Sequence, residues 1–270
     1  MVPNDLKRIC QQARTVISQV AAFQRSEMGK VTPEAVESKS LNSLVSYVDK
    51  TSEEQLVTGL QHILPEGRFL TEEGTVVAQT GTWQWIVDPL DGTTNYLHGL
   101  PCYSISVALQ YQQRTVLGIV HEVSRDECFY AWSGSGLLVN DTPAQVSLTA
   151  KMSDSLIATG FPYYDFDRQD DYLHILAQLM TQTRGIRRFG SAAVDLAWVA
   201  CGRFDAFFEY SLHPWDVAAG AFLVQEAGGR VGDFRGGDRY IHGREILATN
   251  PSLWTAILDL INPSLSRLDP

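Results

Sequence analysis

The chain is expected to fold as an α+β lobe followed by an α/β lobe, the two layered together, and three observations lead there. An amphipathic helical stretch opens the chain, consecutive strand candidates fill residues 83 to about 139, and beyond about Thr149 strands alternate with helices. Alternation of that kind favours strands with helices packed against them. With 270 residues and 44% hydrophobic content, the chain suffices for one large domain or two tightly joined lobes. No repeat or low-complexity segment marks a boundary, so the order of elements places it near 145–152 and divides the chain into lobes 1–147 and 148–270.

Taken in order, Leu6, Ile9, Cys10, Ala13, Val16, Ile17 and Val20 recur at helical spacing behind Asn4, a residue suited to capping. A second helix is expected to begin at 49–52, pass through Leu56, Leu60 and Ile63, and stop before Pro65. The segments WQWIVD, YSISVALQY, TVLGIVHEV and ECFYAW, with a turn at 134–136, then read as one antiparallel sheet. After them come the strand LIATG, a helix near 170–183, the strand RRFG, a helix over 192–201 and the strand FDAFFEY. A helix after Trp215, the strand EILATN and a last helix over 253–261 complete the chain.

The net charge of −10 would repel a phosphate backbone, and no basic cluster with interleaved aromatics occurs, so nucleic acid is not an expected partner. No apolar run approaches the roughly 20 residues needed to cross a bilayer, so no membrane association is expected. Cys10, Cys102, Cys128 and Cys201 lack metal-ligand spacing, and the N-terminus does not resemble a cleavable leader; the cytoplasm is the expected location. Acidity suits an enzyme acting on anionic esters only if bound cations invert the field at its site.

The run WIVDPLDGTTNY carries the most chemistry. An apolar strand is expected to end at Asp88, Pro89 to turn the chain, and Asp91 to follow three residues after Asp88. Gly92 permits close backbone approach, and a short helix beginning near Thr93 would direct the N–H groups of Gly92, Thr93 and Thr94 at a phosphoryl oxygen. Asp88 and Asp91 could hold hard cations beside it. DG alone is a common turn dipeptide; two carboxylates at the end of an apolar strand ask for more than a turn. Glu72 and Glu73 after Phe69 and Leu70 read by themselves as a solvated loop, and Asp216 in HPWDVAAGAFLVQEAGG as an acid in the first turn of a helix.

Together these segments resemble the inositol monophosphatase family, whose signatures are a Glu-Glu pair, DPxDGTxN, and WDxAAG before a glycine-ended helix. All three occur here in order, and the resemblance spans essentially the whole chain. It implies a layered αβαβα sandwich of the sugar phosphatase type, a homodimer and lithium inhibition. It further implies that Glu72, Asp88 and the Leu90 carbonyl bind one Mg²⁺, that Asp88, Asp91 and Asp216 bind a second, and that Glu72 contacts a weaker third. Oxygen-only ligation suits Mg²⁺, with Mn²⁺ a possible substitute.

By the same resemblance Thr93, hydrogen-bonded to Asp49, positions the attacking water, while Ser191, Ala192 and Glu209 lie beside the polyol. The chain departs from the family's DLVTxxD at Ser43, where the first Asp is missing. Lys39 stands about one position closer to Asp49 than in the family pattern, and reads locally as a solvated lysine. The function implied is Mg²⁺-dependent hydrolysis of myo-inositol monophosphate and similar small phosphate monoesters by a metal-activated water. The alternatives are a phosphatase for another sugar or nucleotide phosphate, or a regulatory binding protein retaining the fold, since some bacterial relatives associate with the transcription machinery. The glycine-rich stretches at 134–136 and 228–238 lack a phosphate-loop lysine and read as turns. His98 and His213 lack zinc-motif spacing, and Cys102 reads as a core residue.

Overall fold

The structure, a computed structural model, describes residues 5–40, 43–77, 79, 81–162 and 165–265. Asn4 lies outside them; α1 (Leu6–Glu27) begins behind Asp5, with its apolar positions buried as the spacing requires. Next come a short hairpin, β1 (Glu37–Ser40) and β2 (Ser43–Val45), that the sequence pattern did not announce, and α2 (Tyr47–Ile63). The Lys39 side chain lies outside the described residues. α2 starts two residues before the expected window because Ser46 caps it. The Ser46 hydroxyl accepts from the Val48 N–H at 3.1 Å, and Asp49 Oδ2 accepts from the Ser46 N–H at 2.8 Å.

A seven-stranded sheet follows: β3 (Arg68–Thr71), β4 (Trp83–Asp91), β5 (Ser104–Tyr111), β6 (Arg114–Glu122), β7 (Glu127–Trp132), β8 (Leu137–Val139) and β9 (Thr142–Ala144), in that spatial order. It is antiparallel from β4 onward. The correction to the expected sheet is β3, which adds a parallel edge against β4. α3 (Thr93–Leu97) hangs between β4 and β5. The rest of the chain builds β10 (Leu156–Thr159), α4 (Gln169–Gln182), β11 (Gly185–Arg187), α5 (Ala192–Ala200), β12 (Ala206–Tyr210), α6 (Pro214–Glu226), β13 (Arg230–Gly232), β14 (Glu245–Thr249) and α7 (Trp254–Leu265). Its five strands form a mixed sheet in the order β11-β10-β12-β14-β13, with β10 parallel to both neighbours and β14 antiparallel to both of its own. The strand expected at RRFG sits two to three residues earlier. Ser191 caps α5, and Arg188 and Phe189 form the approach to it.

Five layers result. α1 and α2 cover one face of the first sheet, α5 and α6 fill the space between the sheets, and α4 and α7 cover the far face of the second. The middle helices touch sheet on both sides, which explains why AAVDLAWVA and AAGAFLV have almost no polar stripe. Their small residues allow close approach: a Cβ on Gly220 would fall 2.5 Å from Leu196 Cβ.

His121 on β6 yields a stability test. It is buried, with Nε2 3.4 Å from the exposed Asp126 carboxylate. Burial is the main influence holding it down to about 4, with Arg25 and Arg14 adding to the fall and Asp126 opposing it. The unfolded chain takes up this proton below about 6.5 while the folded chain does not, so stability is full above that pH and declines as pH falls toward 4. The loss should reach roughly 3 kcal/mol by pH 4. Urea midpoints at pH 7 and pH 4.5 should show a smaller acid loss for His121→Gln than for wild type; equal losses would contradict the assignment.

Candidate active site

The site grows out of an irregularity in β4. The strand does not end at Asp88 as expected but continues to Asp91, pairing Asp88 with Ser106 and Asp91 with Ser104, so one extra residue bulges on the β4 side. Pro89 has no N–H to give and is tolerated at such a bulge. Its carbonyl accepts from Gln24 Nε2 of α1 at 2.6 Å. Strand alternation would send residues 88 and 91 to opposite faces; the extra residue turns both carboxylates into one cavity. Gly92 then reverses the chain with φ 95°, where a Cβ would meet the Cys102 carbonyl at 3.1 Å and the Gly190 carbonyl at 3.2 Å.

Around this turn lies a cavity of about 490 Å³. One end is acidic: Glu72 from the end of β3, Asp88 and Asp91 from β4, and Asp216 from the first turn of α6 line it together. Single carboxylate oxygens of Asp88, Asp91 and Asp216 lie within 4.8 Å of one another. Burial pushes Asp88 well above the ordinary carboxylate range, and Glu72, Asp91 and Asp216 push it further. Asp216 is raised well above that range by burial and then by Asp91 and Glu72. Asp91 is pushed up to about 6 by burial, opposed by hydrogen bonds from Ser191 and the N-terminus of α5. Carboxylates so crowded cannot all be ionised without cations, and an all-oxygen donor set of this kind fits Mg²⁺.

The three aspartates are held by backbone or hydroxyl groups. Asp88 Oδ1 accepts from the Leu90 N–H at 2.9 Å; Asp91 Oδ2 accepts from the Ser191 hydroxyl at 2.6 Å and the Ala193 N–H at 2.8 Å. Asp216 Oδ2 accepts from the His213 N–H at 2.6 Å, so this residue serves its helix and faces the cavity at once. The Thr93 hydroxyl lies 2.9 Å from Asp49 Oδ1 and 3.0 Å from the Leu90 carbonyl, and its single proton serves one of them at a time. Gly92, Thr93 and Thr94 line the cavity beside the acids.

Arg188, Ala192, Asp195, Glu209 and Phe161 also line the cavity. Glu209 is pushed up to about 8 by burial, with Arg188 opposing the rise and Asp91 adding to it. Ser191, expected beside the polyol, lines the cavity, and its buried hydroxyl donates to Asp91. Sequence reasoning missed Gln24, Ser46, Arg188 and Asp195. Only Asp195 left a usable signal, as an acid inside the apolar helix AAVDLAWVA; it is buried, with one carboxyl oxygen lacking a hydrogen-bond partner. Asn95, the end of DPLDGTTN, is structural: its amide donates to the Cys102 and Phe189 carbonyls, each at 2.7 Å, tying the turn to the approach of α5.

Glu73 is not among the cavity-lining residues, and His98 is exposed. His213 lines the cavity and stacks on Trp215 with ring centroids 4.8 Å apart. Cys102 is buried, with its thiol pushed upward by burial, which suits a core residue.

The layered fold is of the sugar phosphatase type. This chain belongs to the inositol monophosphatase family, whose model matches residues 5–268. It is 42% identical over 235 residues to the putative Nus factor SuhB of Neisseria meningitidis serogroup B, a match covering 87% of this chain and 90% of that one. It is 40% identical over 238 residues to the Nus factor SuhB of Escherichia coli K12, covering 87% and 89%. Among solved structures, the extragenic suppressor protein suhB of Bartonella henselae superposes with a TM-score of 0.90 at 35% identity, covering 97% of this chain and 100% of that one. The Thermotoga maritima IMPase superposes with a TM-score of 0.85 at 31% identity, covering 93% and 96%. No helix among the described residues is long and apolar enough to cross a membrane.

Proposed function

We propose that the chain hydrolyses myo-inositol monophosphate and similar small phosphate monoesters in a Mg²⁺-dependent reaction. The observation that carries this reading is the meeting of Glu72, Asp88, Asp91 and Asp216 in one cavity beside the Gly92–Thr93–Thr94 turn. Glu72, Asp88 and the Leu90 carbonyl would hold one ion, and Asp88, Asp91 and Asp216 a second. Bound Mg²⁺ supplies the positive charge that neutralises the phosphate and lowers the pKa of water. Thr93, with its proton directed to Asp49, offers its oxygen lone pairs to the attacking water, and Asp49 keeps the hydroxyl oriented. The N–H groups of Gly92, Thr93 and Thr94 face the phosphoryl oxygens.

Glu209 takes up hydroxyls of the alcohol, and the positive charge of bound ions favours its ionised form. Ser191 and Ala192 border the alcohol, and Ser191 also holds Asp91. Lobe 1–147 supplies most of the ligands, and lobe 148–270 completes the site with Asp216, Ser191 and Glu209. A homodimer, lithium sensitivity and a cytoplasmic location belong to the same reading. A phosphate-release panel of inositol, glycerol, nucleotide and aryl phosphates, with Mg²⁺ and with or without Li⁺, tests it. Inositol monophosphate should give the highest kcat/KM, and preference for another sugar or nucleotide phosphate would reassign the substrate.

The names of the SuhB relatives favour a second reading, in which the chain acts as a regulatory protein factor on the same fold. Its charge of −10 argues for contact through protein surfaces and against a nucleic-acid backbone. A strain lacking the gene separates the readings: rescue by Asp88→Asn supports the factor role, and rescue by wild type alone supports the phosphatase.

A further inference from the structure

The inner face of α2 meets the site at successive residues. Asp49 holds Thr93, and Ser52 accepts from Gln24 Nε2 at 3.1 Å, the same amide that holds the Pro89 carbonyl. One turn beyond Asp49 lies Glu53, fully buried, for which the chemistry above has no direct use. Its carboxylate is occupied by the 71–75 segment. Oε1 accepts from the Thr71 hydroxyl at 2.9 Å, and from the Thr75 N–H and hydroxyl, each at 2.7 Å; Oε2 accepts from the Glu73 N–H at 2.7 Å.

These donors flank Glu72 on both sides. Glu72 itself is tied to β4 through its N–H, which donates to the Val87 carbonyl at 3.2 Å. Burying a carboxylate is costly unless its oxygens are satisfied, and here the satisfying groups all belong to the few residues around one cavity-lining acid.

We propose that Glu53 is a positioning residue for Glu72: it locks the 71–75 segment so that the Glu72 carboxylate lines the cavity beside Asp88, and thereby sets the site's affinity for divalent cations. The assignment rests on the reading of Glu72 as a metal ligand. Groups that orient a metal ligand typically change affinity or activity about 10- to 100-fold when removed, without touching the ion. Asp49 and Glu53, one turn apart on α2, thus steady the water-orienting and metal-holding parts of the cavity from a single helix.

The test is Mn²⁺ titration of chelator-treated protein by electron paramagnetic resonance, for wild type, Glu53→Gln, Glu72→Gln and the double variant. Glutamine at 53 retains an acceptor for Thr71 and Thr75 but turns an amide NH₂ toward the Glu73 N–H, donor against donor, beside Glu72. Glu53→Gln should weaken Mn²⁺ binding about 10-fold or more when Glu72 is present and less than about twofold in the Glu72→Gln background. A titration superimposable on wild type, or an equal loss in both backgrounds, overturns the assignment and leaves the metal site standing. Absence of Mn²⁺ binding by the wild type overturns the metal reading of the cavity and the assignment together. If Glu53→Gln does not fold, Thr75→Val removes one hydroxyl donor at an exposed position. It should weaken Mn²⁺ about threefold only when Glu72 is present, and an unchanged titration overturns the assignment.

Discussion

Replacing Asp88 by Asn is expected to lower kcat/KM for inositol monophosphate about 1,000-fold or more while leaving the metal-free protein at least as stable as wild type. Asp88 lies between both proposed ion positions, so losing its charge weakens both, and about 4 kcal/mol less transition-state stabilisation corresponds to that factor. Stability should move the other way. Burial and the neighbouring Glu72, Asp91 and Asp216 raise Asp88 well above the ordinary carboxylate range. A carboxyl raised on folding contributes its stability at low pH and loses that contribution as pH rises through its folded value. At neutral pH without cations it is therefore a liability, whereas Asn is neutral and its Oδ1 can still accept the Leu90 N–H. Calorimetry without metal should give an equal or higher Tm for Asp88→Asn, and added Mg²⁺ should raise the wild-type Tm far more than the variant's. Near-normal kinetics at saturating Mg²⁺, or a clear fall in the metal-free Tm, would contradict the role.

Glu209→Gln should cost roughly 10- to 100-fold in kcat/KM on inositol monophosphate, the loss of one charge-assisted hydrogen bond of about 1.5 to 3 kcal/mol. An aryl phosphate cannot offer the same hydroxyls and should lose much less, because Glu72, Asp88, Asp91 and Asp216 are untouched. The ratio of the two losses, measured at several Mg²⁺ concentrations, is the informative quantity. Equal losses on both substrates would contradict a selectivity role, and rescue by extra Mg²⁺ would move Glu209 into the metal shell.

Asp88 and Asp91 were legible from their place around Pro89 at the end of an apolar strand, whereas Glu72 and Asp216 read locally as a loop acid and a helix-start acid and were joined to them only by the family resemblance. The layered fold was legible too, since the change from strand runs to strand and helix alternation is a long-range pattern that survives errors of a few residues. What stayed hidden depends on register and packing. The bulge that turns Asp91 to the face of Asp88 follows from pairing with β5, and the parallel placement of β3 from contact with β4, neither of which local pattern encodes. Gln24 and Glu53 read as ordinary polar positions on helix surfaces until α1 and α2 press them against β4 and the 71–75 segment. Ser191, placed beside the alcohol by resemblance, lines the cavity, and its bond to Asp91 was likewise hidden until α5 packed against β4.

The most direct test of the central claim is phosphate release from inositol monophosphate by chelator-treated protein, before and after Mg²⁺ is restored. The cluster of Glu72, Asp88, Asp91 and Asp216 predicts no detectable turnover without metal and a saturable return with Mg²⁺, with Mn²⁺ a weaker substitute and Zn²⁺ unable to sustain the rate. Undiminished turnover in chelator, a requirement for Zn²⁺, or no phosphate release from any ester at saturating Mg²⁺ would contradict it.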